Sequence, residues 1–133
     1  MAIFGIGAYY EEDVSSQFIE QGIIGVGWDN EDAPELQEYF RSFKTGDIVY
    51  IKAAFGGNDI TVKAIGIISN NVIITRTDNE LVSTGRNVRW LHTERFVIPR
   101  PREKNNVRSN TVYEEFHPVV QQEILMRIIP TQR

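Results

Sequence analysis

The chain contains no cysteine, which excludes disulfides, thiolate metal sites and a cysteine nucleophile. Its two histidines, His92 and His117, are far apart and have no supporting carboxylate pattern, so surface or capping roles are expected for them and no metal is expected. No apolar run approaches the roughly 18–20 residues that span a bilayer. The opening Met1–Gly7 lacks the basic flank of a secretory signal, and a cytoplasmic protein without membrane contact is expected. Gly-x-Ser-x-Gly, P-loop and His-Glu-x-x-His patterns are all missing. The adjacent acids Glu11/Glu12 and Glu114/Glu115 diverge on a strand or helix, as solvated side chains do. These absences point away from an enzyme and from a cofactor. A positive balance is lacking too, since the formal net charge of −4 argues against indiscriminate coating of nucleic acid.

What is present is the composition of an ordinary soluble domain, 41% hydrophobic and 24% charged. The 133 residues make one domain by length, large enough for a core. Charge is unevenly distributed. The first 40 residues carry nine acidic side chains and no lysine or arginine. Between Arg86 and Arg108 there are seven basic residues against two acidic ones, Glu94 and Glu103. Such a stripe either attracts phosphate or pairs with the acidic N-terminal third.

Residues 2–9 are predicted to form a strand thinned by Gly5 and Gly7, followed by a short helix opened by Asp13 or Ser15 and stopped by Gly22. Residues 23–28 form a second strand. A helix follows with Asp32 as N-cap, Pro34 in the first turn, Leu36, Phe40 and Phe43 on one face, and Gly46 past its end. Thr45–Ile68 then reads as two strands joined by a polar turn, with Gly66 inside the second. Residues 71–76 continue that strand or form another, and 78–80 and 83–85 read as loop. Val88–Leu91 and Phe96–Ile98 are strands. Residues 99–110 form an extended polar connector. The last helix is expected from Thr111, with Glu114 in the capping-box position, a break near His117 and a restart that buries Val120, Ile124 and Ile128. Five or six strands with two or three helices predict an α+β fold built on a curved sheet or barrel.

Several side chains are candidates for binding. Tyr9 and Tyr10 point to opposite faces by strand alternation, so at most one lines a pocket. Trp28, at a strand end, suits a pocket wall or the core equally, whereas Trp90 belongs in the core. Tyr50 and Lys52 share one face of their strand and Val49 and Ile51 the other; a lysine there is solvated or touches phosphate. Arg86, Asn87 and Arg89 lie where barrel and connector meet, and arginine forks suit phosphate oxygens. Arg108 precedes the final helix.

The order of these parts resembles the PUA-like superfamily, especially its EVE and YTH branches, over nearly the whole chain. Asn87-Val88-Arg89-Trp90-Leu91 is similar to the Asp-Val-Arg-Trp-Ile strand of YTH domains, and Ala8-Tyr9-Tyr10-Glu11-Glu12-Asp13-Val14 to their Ser-Tyr-Ser-Glu-Asp-Asp/Asn-Ile segment. The resemblance implies a PUA-like curved β-barrel that binds DNA or RNA carrying a flipped, modified base, and modules of this kind accompany restriction nucleases. It places Tyr9 and Asp13 at the pocket. The implied mechanism has Tyr9 and Trp28 stacking on the base, Asp13 accepting from its edge, and Arg86, Arg89 and Arg108 positioning phosphates. Two departures stand out. The first cage tryptophan of YTH domains is matched by Gly25, and residues 77–86 hold no aromatic to supply the second. Two alternatives remain: a free nucleotide or other small molecule as ligand, or a non-catalytic protein-interaction subunit.

Overall fold

The computed structural model describes residues 1–8, 13–27, 34–53, 59–101 and 111–129. Among these residues, seven strands and three helices follow in the order β1 (Ile3–Gly7), α1 (Ser15–Gln21), β2 (Ile23–Val26), α2 (Pro34–Ser42), β3 (Ile48–Ala53), β4 (Ile60–Thr75), β5 (Thr84–His92), β6 (Phe96–Ile98), β7 (Val112–Glu114) and α3 (Pro118–Ile128). One mixed sheet runs β2-β5-β4-β3-β1-β7, with β6 also on β4. β1 lies parallel to β3 and every other pairing is antiparallel. Among the described residues the pairings form an open path from β2 to β7. No described helix is long and apolar enough to cross a membrane.

Helices cover both faces of the sheet. Strand alternation turns Phe4, Ile6, Val49, Ile51 and Ala64 toward Phe18 of α1 and toward Phe40 and Phe43 at the end of α2. It turns Ile3, Ile48, Tyr50, Val62 and Ile65 toward Val120 and Ile124 of α3. β3 is therefore buried on both sides, which explains its uninterrupted run of large side chains. The expected division of Val49 and Ile51 from Tyr50 and Lys52 holds. α1 ends at Gly22 with φ 67°, and Gly46 follows α2 with φ 95°, both in the left-handed region that glycine enters at little cost.

Three element boundaries differ from expectation. Val112–Glu114 is a strand on the free edge of β1, not the first turn of a helix. No helix directly precedes His117 for a break to interrupt, but the expected restart after it is α3: His117 Nδ1 accepts from the Val119 N–H at 3.2 Å, and Pro118 occupies the first turn, where it lacks only an N–H that the helix does not use. Thr84 and Gly85, expected in a loop, open β5 opposite Val26 and Gly25. Residues 71–75 continue β4 past an excursion at 69–72, where Ile68 pairs with Val88 but Ile73 already pairs with Arg86.

Candidate functional site

The register of β3 on β4 slips between Ile51 and Lys52: Ile51 faces Ala64, and Lys52 faces Val62. Lys63 is the extra residue of this bulge. A bulge re-aims the side chain it inserts, and here Lys63 Nζ reaches Asp13 Oδ2 at 2.6 Å. Asp13 Oδ1 accepts from the Ser15 N–H at 2.9 Å and from the Ser15 hydroxyl, while Lys63 Nζ also lies 3.4 Å from Ser15 Oγ. Partial burial works to raise the Asp13 pKa, but the bonds from Lys63 and Ser15 outweigh it and bring the carboxyl down from 3.8 to about 2. Asp13 is thus a fixed, ionised acceptor with 42% of its side chain exposed. Because Val62 pairs with Phe96 and Ile65 with His92, the turn carrying Arg95 lies at the same end of the sheet.

β5 carries the Val-Arg-Trp segment, and alternate residues on it hold the helices. Trp90 Nε1 donates to the Phe18 carbonyl of α1 at 3.0 Å, and its partly buried ring packs on the core as expected. Arg86 is 1% exposed. Its Nη1 donates to the carbonyls of Phe40 and Phe43 at the end of α2, and its Nη2 to the Asn70 carbonyl at 3.0 Å. Burial lowers its pKa and the nearby Asp47 charge works in the opposite direction. The expected phosphate contact is corrected: this guanidinium caps a helix inside the protein. Asn87 is half-buried and donates from Nδ2 to Asn70 Oδ1 at 3.3 Å. Arg89, Arg95 and Arg100 are exposed, and among the described residues they form no ion pair with the acidic N-terminal third.

Lys52 also departs from the expected solvated position. It is 8% exposed and has its ammonium 5.6 Å from the centre of the Tyr113 ring. Burial lowers its pKa from 10.5 to about 8. Beside it, Tyr50 donates to Glu115 Oε1 at 2.7 Å and its hydroxyl lies 2.7 Å from that of Tyr113. Glu115 Oε2 accepts from the His117 N–H at 3.1 Å. Burial first, and then the neighbouring Tyr113 and Glu115, push the Tyr50 phenol far above its ordinary value. Glu115 and Tyr113, read from sequence as a solvated acid and a helix residue, form a buried polar network with Tyr50 that joins β3 to the start of α3.

Gly25 and Gly85 face one another across β2 and β5. A Cβ on Gly25 would lie 2.6 Å from both the Thr84 carbonyl oxygen and Val82 Cγ1, and one on Gly85 would lie 2.9 Å from Val82 Cγ2. Val82 is fully buried and fills the space over both glycines. An aromatic wall at position 25 has no room here. Tyr9, Trp28 and Arg108 lie outside the described residues. Sequence reasoning missed Lys63, because its placement depends on a one-residue slip that residue type does not announce.

No protein-family description matches the sequence, and no curated protein does. Among solved structures, the fold is similar to the YTH domain of Zygosaccharomyces rouxii MRB1 protein, determined in complex with N6-methyladenosine RNA. The TM-score is 0.60 with 15% sequence identity, covering 99% of this chain and 87% of that one. The chain has a YTH-like α+β fold.

Proposed function

We propose that this chain is a non-catalytic nucleic-acid-binding module of the PUA-like, EVE/YTH-related kind that holds a flipped, modified base. The observation that carries this reading is Asp13, a rigid ionised acceptor at one end of a YTH-like sheet. Arg95 is in the turn at that end, and Arg89 and Arg100 are exposed and unpaired among the described residues. A carboxylate accepts from a base N–H, and exposed guanidinium groups attract phosphate. The aromatic faces are assigned to Tyr9 and Trp28, since the glycine pair under Val82 offers none. Arg108 is retained as a phosphate contact, while Arg86 and Lys52 receive no ligand role. A nuclease partner belongs to this reading by analogy alone.

Fluorescence anisotropy with modified and unmodified single- and double-stranded oligonucleotides at low salt tests it. Binding is expected, and Arg89→Ala should lower the slope of log affinity against log salt by about 1. Absence of binding to every probe rejects the proposal.

A second reading, a protein-interaction subunit, is favoured by one observation. Phe116 (71%), Val119 (52%), Met126 (63%) and Ile129 (58%) at and along α3 are exposed apolar side chains. A concentration-dependent mass in sedimentation, abolished by Met126→Lys, would support self-association through this face.

A further inference from the structure

The outer side of α3 carries a regular, uncharged stripe. Val119, Gln122, Met126 and Ile129 are all exposed and follow one another at intervals of three, four and three residues. That spacing keeps side chains in one line along a helix and is the spacing of a two-helix seam. Val120 and Ile124 hold the opposite side of the helix in the core. Phe116 adjoins the stripe just ahead of the helix start. Together the four exposed apolar side chains leave bare roughly 500 Å² per copy, toward the upper end of what a monomer carries. Two such stripes laid together bury roughly 1,000 Å², the lower bound for a specific interface.

We propose, on the strength of the interaction-subunit reading above, that α3 pairs antiparallel with α3 of a second copy about a two-fold axis. The stripe is its own complement, because intervals of three, four and three read the same in reverse. Val119 of one copy then meets Ile129 of the other, and Gln122 meets Met126. The chemistry of that contact is already present within one helix, where Gln122 Nε2 lies 3.9 Å from Met126 Sδ. Other occupants fit less well. A lipid surface is held by basic residues beside an apolar face, and α3 has one, Arg127, whose guanidinium lies 4.0 Å from the centre of the Phe96 ring. Nucleic acid finds no cation along the stripe. α1 packs on the other face of the sheet, so this pairing leaves the Asp13 end of each copy uncovered.

The test uses the whole chain, which has no cysteine of its own. Val119→Cys and Ile129→Cys are made singly, then oxidised alone and as a mixture. The mixture is expected to give a covalent dimer with one of each, and neither variant alone should give any. Like positions in the antiparallel pair lie about 15 Å apart along the axis, out of reach of a disulfide. Sedimentation velocity of the wild type from micromolar to millimolar concentration should show a reversible dimer. Met126→Lys should lose it, with circular dichroism confirming that the variant is folded. Glu123→Gln should tighten it about threefold, because the pairing brings the two Glu123 carboxylates to one side of the axis. A dimer lost in Met126→Lys but cross-linked by Val119→Cys alone, or not cross-linked by the mixture, rejects the antiparallel register and keeps the interaction face. A dimer that survives Met126→Lys lies elsewhere on the molecule and rejects both. A monomer at every concentration overturns the pairing, and its flotation with phosphatidylserine vesicles would give the stripe to a lipid surface.

Discussion

Arg86 Nη1 donates to the carbonyl of Phe40 at 3.0 Å, so an arginine near the start of β5 terminates helix α2. The same guanidinium reaches the Asn70 carbonyl through its other nitrogen, joining the helix end to the excursion in β4. Arg86→Met strips several buried carbonyls of their donors. At about 1–3 kcal/mol for each unsatisfied group, a loss of roughly 3 kcal/mol is expected in urea denaturation. Arg86→Lys should recover little, because one ammonium cannot span both sets of acceptors. Recovery of full stability by lysine would show that charge alone matters at this site.

Gly25 permits the close approach of Val82 and of the Thr84 carbonyl. Gly25→Ala is expected to destabilise by about 1–3 kcal/mol through overpacking. The double variant Gly25→Ala/Val82→Ala should not recover the loss, since the Thr84 oxygen is backbone and stays in place. A double variant as stable as Val82→Ala alone, measured by thermal denaturation, would assign the whole conflict to the valine.

Lys52 gives the stability a dependence on alkaline pH. Its folded value of about 8 lies below the ordinary 10.5 because of burial. Between those values the unfolded chain holds a proton that the folded chain has released. Its contribution to stability therefore rises with pH across that window, by no more than about 1.4 kcal/mol per pH unit. Below pH 8 both states are charged and the folded state bears the cost of a buried ammonium. Lys52→Met should remove this rising contribution, leaving the opposite one of the buried Tyr50 phenol near pH 10. The measurement is urea denaturation of both proteins from pH 7 to 10.5, and a constant difference between them would contradict the assignment.

Much of the framework was legible because its signals are local. Gly22 and Gly46 mark the ends of α1 and α2, and alternation along β3 separates Tyr50 and Lys52 from Val49 and Ile51. Trp90 was expected in the core and packs there. The misplaced parts depend on distant partners. Val112–Glu114 becomes a strand because β1 has an open edge, and nothing near residue 112 reveals that edge. Arg86 and Arg89 are neighbours of one type, yet alternation sends the first into α2 and leaves the second in solvent. Lys63 depends on register, which follows from the whole sheet. Of the candidate site, Asp13 was recognised, but the lysine that fixes its charge was not.

Of the described strands β1 precedes all the others, and its second partner, β7, is the last of them. Phe4 of β1 must wait for Glu114 before the second edge of the strand is closed. A growing chain leaving the ribosome thus carries an uncapped apolar ribbon through most of its synthesis. Fragments truncated before β7 should therefore aggregate more readily than the full chain.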